Sequence, residues 1–314
     1  MKVIIISNFI HLKNRPDKLD YLFLDYLKQV SKYKIILCEN NESSLKKNIM
    51  NDDIIILFNW PYCKSDYIKQ YNNKKIFWIY DINCTCKYGC NGLKDRCGFQ
   101  EQYKYINEND IQHVWYKYET PITLRLAKEN KYWVKFQHMM FNNKNNINYQ
   151  IEKKYDILFF GATYPGAYPF RNRLYYLLKK NTDKFNILFL PYTKKHPEKM
   201  ITGIDLYKLI SQSWLTCACC LISNILVAKY YEIGLYGSVA LGDYPEYETE
   251  LYLKDNMIYI NRHMDDNEII NIIQNALNHK DKLLKYSSNT KRYISENYMY
   301  KNGLKTFENH IQLL

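Results

Sequence analysis

Short unbroken apolar runs, rich in Ile, Val and aromatic residues, recur along this chain at intervals that leave room for a helix between them. Val3 to Ile6, Lys34 to Cys38, Ile54 to Phe58 and Ile76 to Tyr80 read as strands, with Val114 to Tyr118 and Trp133 to Phe136 as weaker ones. The first three strong runs are continuous rather than alternating, the pattern of parallel strands covered on both faces. Leu19 to Val30 carries Leu22, Leu24, Tyr26, Leu27 and Val30 at helical spacing. Strand, helix and strand at this pitch predict βαβ units and a Rossmann-like half.

A polar stretch from Asn142 to Lys154 has the composition of a linker. A second series follows it. Ile157 to Phe160, Asn186 to Leu190, Trp214 to Cys219, Ser238 to Leu241 and Met257 to Ile260 read as strands. Arg173 to Lys180, Leu206 to Ser213, Ile225 to Tyr236 and Asp266 to Leu277 read as helices, the last opened by Asp265 and Glu268 in the manner of a capping box. Thr290 to Leu314 reads as one amphipathic helix. The predicted fold class is therefore α/β, with two Rossmann-like domains facing across a cleft. Residues 1–150 and 151–290 form the two domains, and 291–314 is a terminal helix packing back toward the first. In open α/β sheets ligands sit outside the carboxyl ends of the strands, and between two such halves lies the deepest pocket.

Composition excludes other classes. At roughly 100–200 residues per domain, 314 residues suit two domains. A hydrophobic fraction of 47% with 16% aromatics supplies two cores and argues against disorder. With 10 Gly and 8 Pro, collagen-like and mucin-like chains are excluded. The longest apolar stretch, Cys217 to Ala228, is broken by Ser223 and Asn224, whereas a span needs ~20 apolar residues. Val3 to Ile6 is too short for a secretory core. A cytoplasmic chain with mostly reduced thiols is the expectation for the nine cysteines. The abundance of Lys, Asn, Ile and Tyr is what an AT-rich genome writes, a large DNA virus among them, in which case the compartment is the host cytoplasm. The formal charge is +12, but no dense basic run stands out, so a solvated basic surface is expected and no nucleic-acid partner.

The most informative segment runs from Ser223 to Asp243. Ser223 or Asn224 would cap a short helix, Gly237 sits where a left-handed residue ends one, and Ser238 to Leu241 follows as a strand of small residues. Lys229 and Glu232, three apart, share a face near the helix start. Free N–H groups and a positive dipole there suit a phosphate, Lys229 adds a point charge, and Glu232 can accept from the two hydroxyls of a ribose. Together they suit a nucleoside diphosphate. The alternative is an ordinary surface ion pair.

This segment resembles the donor-binding region of the GT-B glycosyltransferases of the group 1 kind, and the CgeB-like branch in particular. There, a helix reading K-x-x-E-x-x-x-x-G precedes a strand of small apolar residues. Tyr155 to Gly161 is similar to the opening strand of the family's second domain, Asp205 to Ser211 to the helix before the donor site, and Asp255 to Ile258 to the element after it. Asn289, Arg292, Ile294 and Tyr298 resemble the terminal helix, and His138 the turn between domains. The resemblance covers residues 133–314. It implies a glycosyltransferase that moves a sugar from a UDP-, GDP- or dTDP-linked donor to a glycan, protein or lipid hydroxyl. Residues 1–150 become the acceptor side and 151–290 the donor side.

For the donor the resemblance implies Gly161, Arg171, Arg173, Lys229 and Glu232, with Tyr192 beside the base. The family's two donor-site glutamates are separated by seven intervening residues; Glu232 matches the second, and Asn224 stands where the first would be. No Asp-x-Asp occurs, against the metal-dependent GT-A class, and the GT-B resemblance implies a diphosphate neutralised by protein cations and a helix end, with no cofactor required for catalysis. Asp81, after the strand Ile76 to Tyr80, is the candidate base or acceptor contact, and His138 a candidate contact across the cleft. Each also reads as an ordinary turn or hinge residue.

Cys84, Cys86, Cys90 and Cys97 fall in one loop at C-x-C-x3-C-x6-C spacing. They read as a structural zinc site, as unligated thiols or as disulfides. A basic, zinc-stabilised protein that binds nucleic acid or an anionic glycan, with an inactive donor site, is the alternative function. A sugar-nucleotide epimerase is a third.

Overall fold

In the computed structural model the described residues are 1–14, 19–58, 66–79, 98–136, 141–142, 152–192, 201–222 and 224–314. The chain forms two compact units, one of Met1–Asn142 with Tyr298–Leu314 and one of Asn143–Asn297.

The first unit is built on six parallel strands: β1 (Lys2–Ser7), β2 (Lys34–Glu39), β3 (Ile54–Phe58), β4 (Lys75–Ile79), β5 (His113–Tyr116) and β6 (Trp133–Lys135). Their order is β2-β1-β3-β4-β5-β6. The continuous apolar runs arise because both faces are covered. Ile4, Ile6, Leu57, Phe77 and Ile79 enter one core, while Val3, Ile5, Ile56, Phe58 and Trp78 enter the other. Each such side chain contributes roughly 1.5–3 kcal/mol on burial. The helices are α1 (Phe9–Asn14), α2 (Leu19–Val30), α3 (Glu42–Asn48), α4 (Gly98–Glu108) and α5 (Pro121–Glu129). Helix α2 buries Phe23, Leu24 and Leu27, whereas α3 buries just Leu45. Helix α5 carries a reciprocal cap between Thr120 and Thr123 with Pro121 in its first turn.

The second unit carries five parallel strands: β7 (Tyr155–Ala162), β8 (Ile187–Tyr192), β9 (Ser213–Cys217), β10 (Val239–Gly242) and β11 (Ile258–Tyr259). Their order is β11-β10-β9-β7-β8. Read from β7 onward this is the 2-1-3-4-5 order of doubly wound sheets, whose direction of winding reverses between the first and third strands. That reversal falls between β7 and β9, paired at Tyr155–Ser213, Ile157–Leu215 and Leu158–Thr216. The helices are α6 (Pro169–Lys179), α7 (Gly203–Ser211), α8 (Lys229–Leu235), α9 (Tyr252–Asp255), α10 (Asp266–Asn278) and α11 (Lys280–Asn297). The expected cap is present on α10, where Asp265 accepts from the Glu268 N–H at 2.8 Å.

Two expectations are corrected. Thr290 to Leu314 is not one helix. Helix α11 ends at Asn297 and α12 (Tyr300–Gln312) begins three residues later, because Phe141 bridges to Met299 and interrupts the spiral. Helix α12 then buries Tyr300, Phe307 and Ile311 in the core of the first unit. Likewise Ile225 to Tyr236 is not all helix. Asn224 is left-handed at φ 58°, Ile225 and Leu226 are buried in irregular chain, and α8 starts only at Lys229. Asn224 is therefore no helix cap, and Ala228 fills that position without a side-chain bond. The other end is as expected. The Gly237 N–H reaches Gly234 O and the Ser238 N–H reaches Ile233 O, the paired bonds of a left-handed helix stop.

Among the described residues no helix is long and apolar enough to cross a membrane.

Candidate functional site

The winding reversal between β7 and β9 brings together the carboxyl ends of strands carrying Gly161, the Cys217 to Cys220 segment and Asp243. Two cations are buried there. Lys229, on the first turn of α8, is 8% exposed, and Arg171, on α6, is 2% exposed. Both ought to be costly, since an ion taken out of water loses several kcal/mol of solvation unless a counter-charge meets it.

No carboxylate meets either one among the described residues. The Lys229 ammonium donates to the Phe160 carbonyl at 2.6 Å and lies 3.8 Å from the centre of the Phe160 ring. Arg171 donates from Nη2 to the Cys219 carbonyl at 2.9 Å and from Nη1 to the Ala162 carbonyl at 3.4 Å, with Tyr168 stacked 3.8 Å from its guanidinium. Its Nε is buried without a hydrogen-bond partner. Burial pushes the Lys229 ammonium well below the usual lysine range, and the Arg171 guanidinium pushes it further; Glu232 and the Cys219 and Cys217 thiols pull it partly back.

Gly161 makes this approach possible. Its φ is +92°, and a Cβ there would sit 2.6 Å from Lys229 Nζ. A side chain at this position would suffer the backbone and displace the ammonium together. The result is the carboxyl end of a sheet with two buried cations and one orphaned N–H.

The N–H groups of Tyr231 and Glu232 both bond to Ala228 O, and that of Tyr230 bonds to Val227 O. Of the expected free donors at the beginning of α8, those of Tyr230 and Tyr231 are already used.

Other expected residues divide as follows. Glu232 is half-buried on the first turn of α8 and feels Lys229. Asn224 lies in the loop before α8. Tyr192 ends β8, paired with Ala162 of β7. Arg173 is separated from this group. Two positions along α6 from Arg171, it turns to another face, where it pairs with Asp266 at 2.6 Å and donates to the carbonyls of Arg262 and Met264. Asp81, His138, Cys84, Cys86, Cys90 and Cys97 lie outside the described residues, as does Ser223. Among the described residues no cluster of three or more His, Cys, Asp or Glu could hold a metal, so the zinc expectation gains no support. Cys38, Cys217, Cys219 and Cys220 are free and buried. Burial raises the Cys219 thiol to about 12.

Asp243 is a residue that the sequence pattern did not single out. It is 7% exposed at the end of β10, and burial raises its carboxyl above the usual range. Its position two strands from β7 is a product of sheet order, which no local pattern encodes.

By sequence the chain matches no family profile and no curated protein. By structure it is similar to S. aureus TarM in complex with fondaparinux, alpha-GlcNAc-glycerol and UDP, at TM-score 0.58 and 14% identity over 85% of this chain. It spans only 57% of TarM's length. It is also similar to Anabaena HepE in complex with UDP, at TM-score 0.58 and 9% identity with both chains covered over 100%. WaaG, a glycosyltransferase involved in lipopolysaccharide biosynthesis, superposes at TM-score 0.55 and 11% identity, covering 96% of this chain and 98% of its own. With its sheets of six and five parallel strands, the chain has the fold of the GT-B glycosyltransferases.

Proposed function

We propose that this chain is a glycosyltransferase that takes a sugar from a nucleoside diphosphate donor and passes it to a hydroxyl of a glycan, protein or lipid. The observation that carries this reading is the pair of buried cations, Lys229 and Arg171, with no ion-paired carboxylate on either among the described residues, at the winding reversal of a doubly wound sheet. Support comes from TarM and HepE, whose structures of the same fold hold UDP.

In this reading the bond between the anomeric carbon and the diphosphate oxygen breaks, and its electron pair leaves with the diphosphate. Lys229 and Arg171 neutralise the charge that grows there, the task for which preorganised cations in a dry site are most effective. A metal ion would duplicate their role, which favours a metal-independent reaction. Glu232 binds the ribose hydroxyls, Asn224 faces the sugar, and Tyr192 lies beside the base. The acceptor oxygen forms the new glycosidic bond, and Asp81 is the candidate to take its proton.

The test is a melting-temperature panel with UDP, GDP and dTDP, repeated on Lys229→Ala and Glu232→Ala. One nucleotide should raise the wild-type midpoint by mass action, and each variant should lose most of that rise. Indifference to all three nucleotides, with salt-steep affinity for a polyanion instead, would sink the enzyme reading.

A further inference from the structure

The Arg171 guanidinium is held by the carbonyls of Cys219 and Ala162 and leaves its buried Nε without a partner, and the nearer of the two acceptors is the carbonyl of Cys219. That carbonyl belongs to no strand, since β9 ends at Cys217. The residues on either side of it are nevertheless clamped to the end of β10. The Ala218 N–H donates to Leu241 O at 2.9 Å. Gly242 lies so close that a Cβ would fall 1.5 Å from Ala218 O. The Tyr230 hydroxyl donates to Ala218 O at 3.2 Å and also bonds the Asp243 carbonyl. Asp243 Oδ1 accepts the Cys220 N–H at 2.9 Å.

We propose that Asp243 is a positioning residue for the anion site: by holding the Cys220 N–H it fixes the Cys219 carbonyl, which in turn aims the Arg171 guanidinium at the diphosphate. The inference rests on the donor-site reading above. The chain of contacts runs from a carboxylate at the end of one strand, through one peptide unit, to a cation on a helix two elements away. Every link in it is buried. Asp243 needs no contact with the ligand. What it supplies is an acceptor at a fixed place, and an asparagine carbonyl could supply the same one.

The experiment measures binding of UDP and of inorganic pyrophosphate by calorimetry to wild type, Asp243→Ala and Asp243→Asn, each with Arg171 intact and with Arg171→Met. Asp243→Ala should weaken both probes about tenfold when Arg171 is present and less than twofold when it is absent. Asp243→Asn should stay within threefold of wild type. A merely structural role would lower both backgrounds equally and would not be rescued by asparagine. If Asp243→Ala does not fold, Tyr230→Phe removes the neighbouring clamp and should show the same dependence on Arg171. Equal losses in both backgrounds, no loss, or an asparagine variant as weak as alanine would each overturn the inference. Wild-type protein that binds neither probe would overturn the donor-site reading and this inference with it; binding by wild type and Asp243→Ala alike would overturn this inference alone.

Discussion

Replacing Lys229 with methionine should make the free protein more stable while removing its use for an anion. Methionine keeps the length and the apolar stem of lysine and discards the charge. An ammonium buried without a counter-ion costs several kcal/mol after relaxation. Against that, the hydrogen bond to Phe160 O returns about 1.5–3 kcal/mol, and the Phe160 ring about 2 kcal/mol. The depressed ionisation of Lys229 says which side wins: burial and the Arg171 guanidinium outweigh these contacts. A net gain of about 1–3 kcal/mol is expected on substitution. At about 2–4 °C per kcal/mol for a domain of 150–250 residues, the melting midpoint should rise by at least a few degrees. Thermal denaturation of wild type and Lys229→Met, each with and without UDP, reads both effects. A variant that melts below wild type would refute the claim that this cation is a burden in the free protein. A variant still raised as far as wild type by UDP would refute its part in binding.

Nucleotide affinity should fall as pH rises through a window well below the ordinary lysine value of 10.5, because Lys229 loses its proton there and the charged form is the better anion ligand; calorimetry in two buffers of different ionisation heat should register proton uptake on binding. Gly161→Ala should weaken UDP about tenfold, since an L residue at φ +92° is strained and its methyl would fall 2.6 Å from Lys229 Nζ; unchanged affinity would contradict that geometry. Arg173→Ala should cost about 1 kcal/mol of stability and change UDP affinity less than twofold, as its ion pair with Asp266 is partly exposed. Burial pushes the Lys153 ammonium, which donates to Ser213 O and Gly237 O, down to about 8. An unfolded-state lysine keeps its proton up to 10.5, so stability rises with pH between those values, by up to about 3 kcal/mol, and Lys153→Met should flatten that rise in denaturant midpoints measured from pH 8 to 10.

The strands of both units were legible because burial on both faces writes an unbroken apolar run. Ile54 to Phe58 and the helix Leu19 to Val30 are found with the bounds that the pattern predicts. Helices α3 and α5 were missed for the opposite reason. Helix α3 buries only Leu45, and one of the three residues that α5 buries is the polar Thr123; each is opened by a side-chain cap, at Asn41 and Thr120. The start of α8 was misplaced because Ile225 and Leu226 look like helix core, whereas they are buried from irregular chain behind a left-handed Asn224.

Within the site, the sequence by itself determined the local pattern: a lysine and a glutamate one turn apart, followed by a helix stop and a small-residue strand. It could not choose between Arg171 and Arg173. Two positions on a helix are about 200° apart, so one guanidinium enters the sheet end while the other meets Asp266 at 2.6 Å. Nor could it find Asp243, or show that Lys229 and Arg171 make no ion pair with a carboxylate among the described residues. Those facts depend on which strands lie side by side, and sheet order is set by packing between segments distant in the chain, where local residue patterns exert no control.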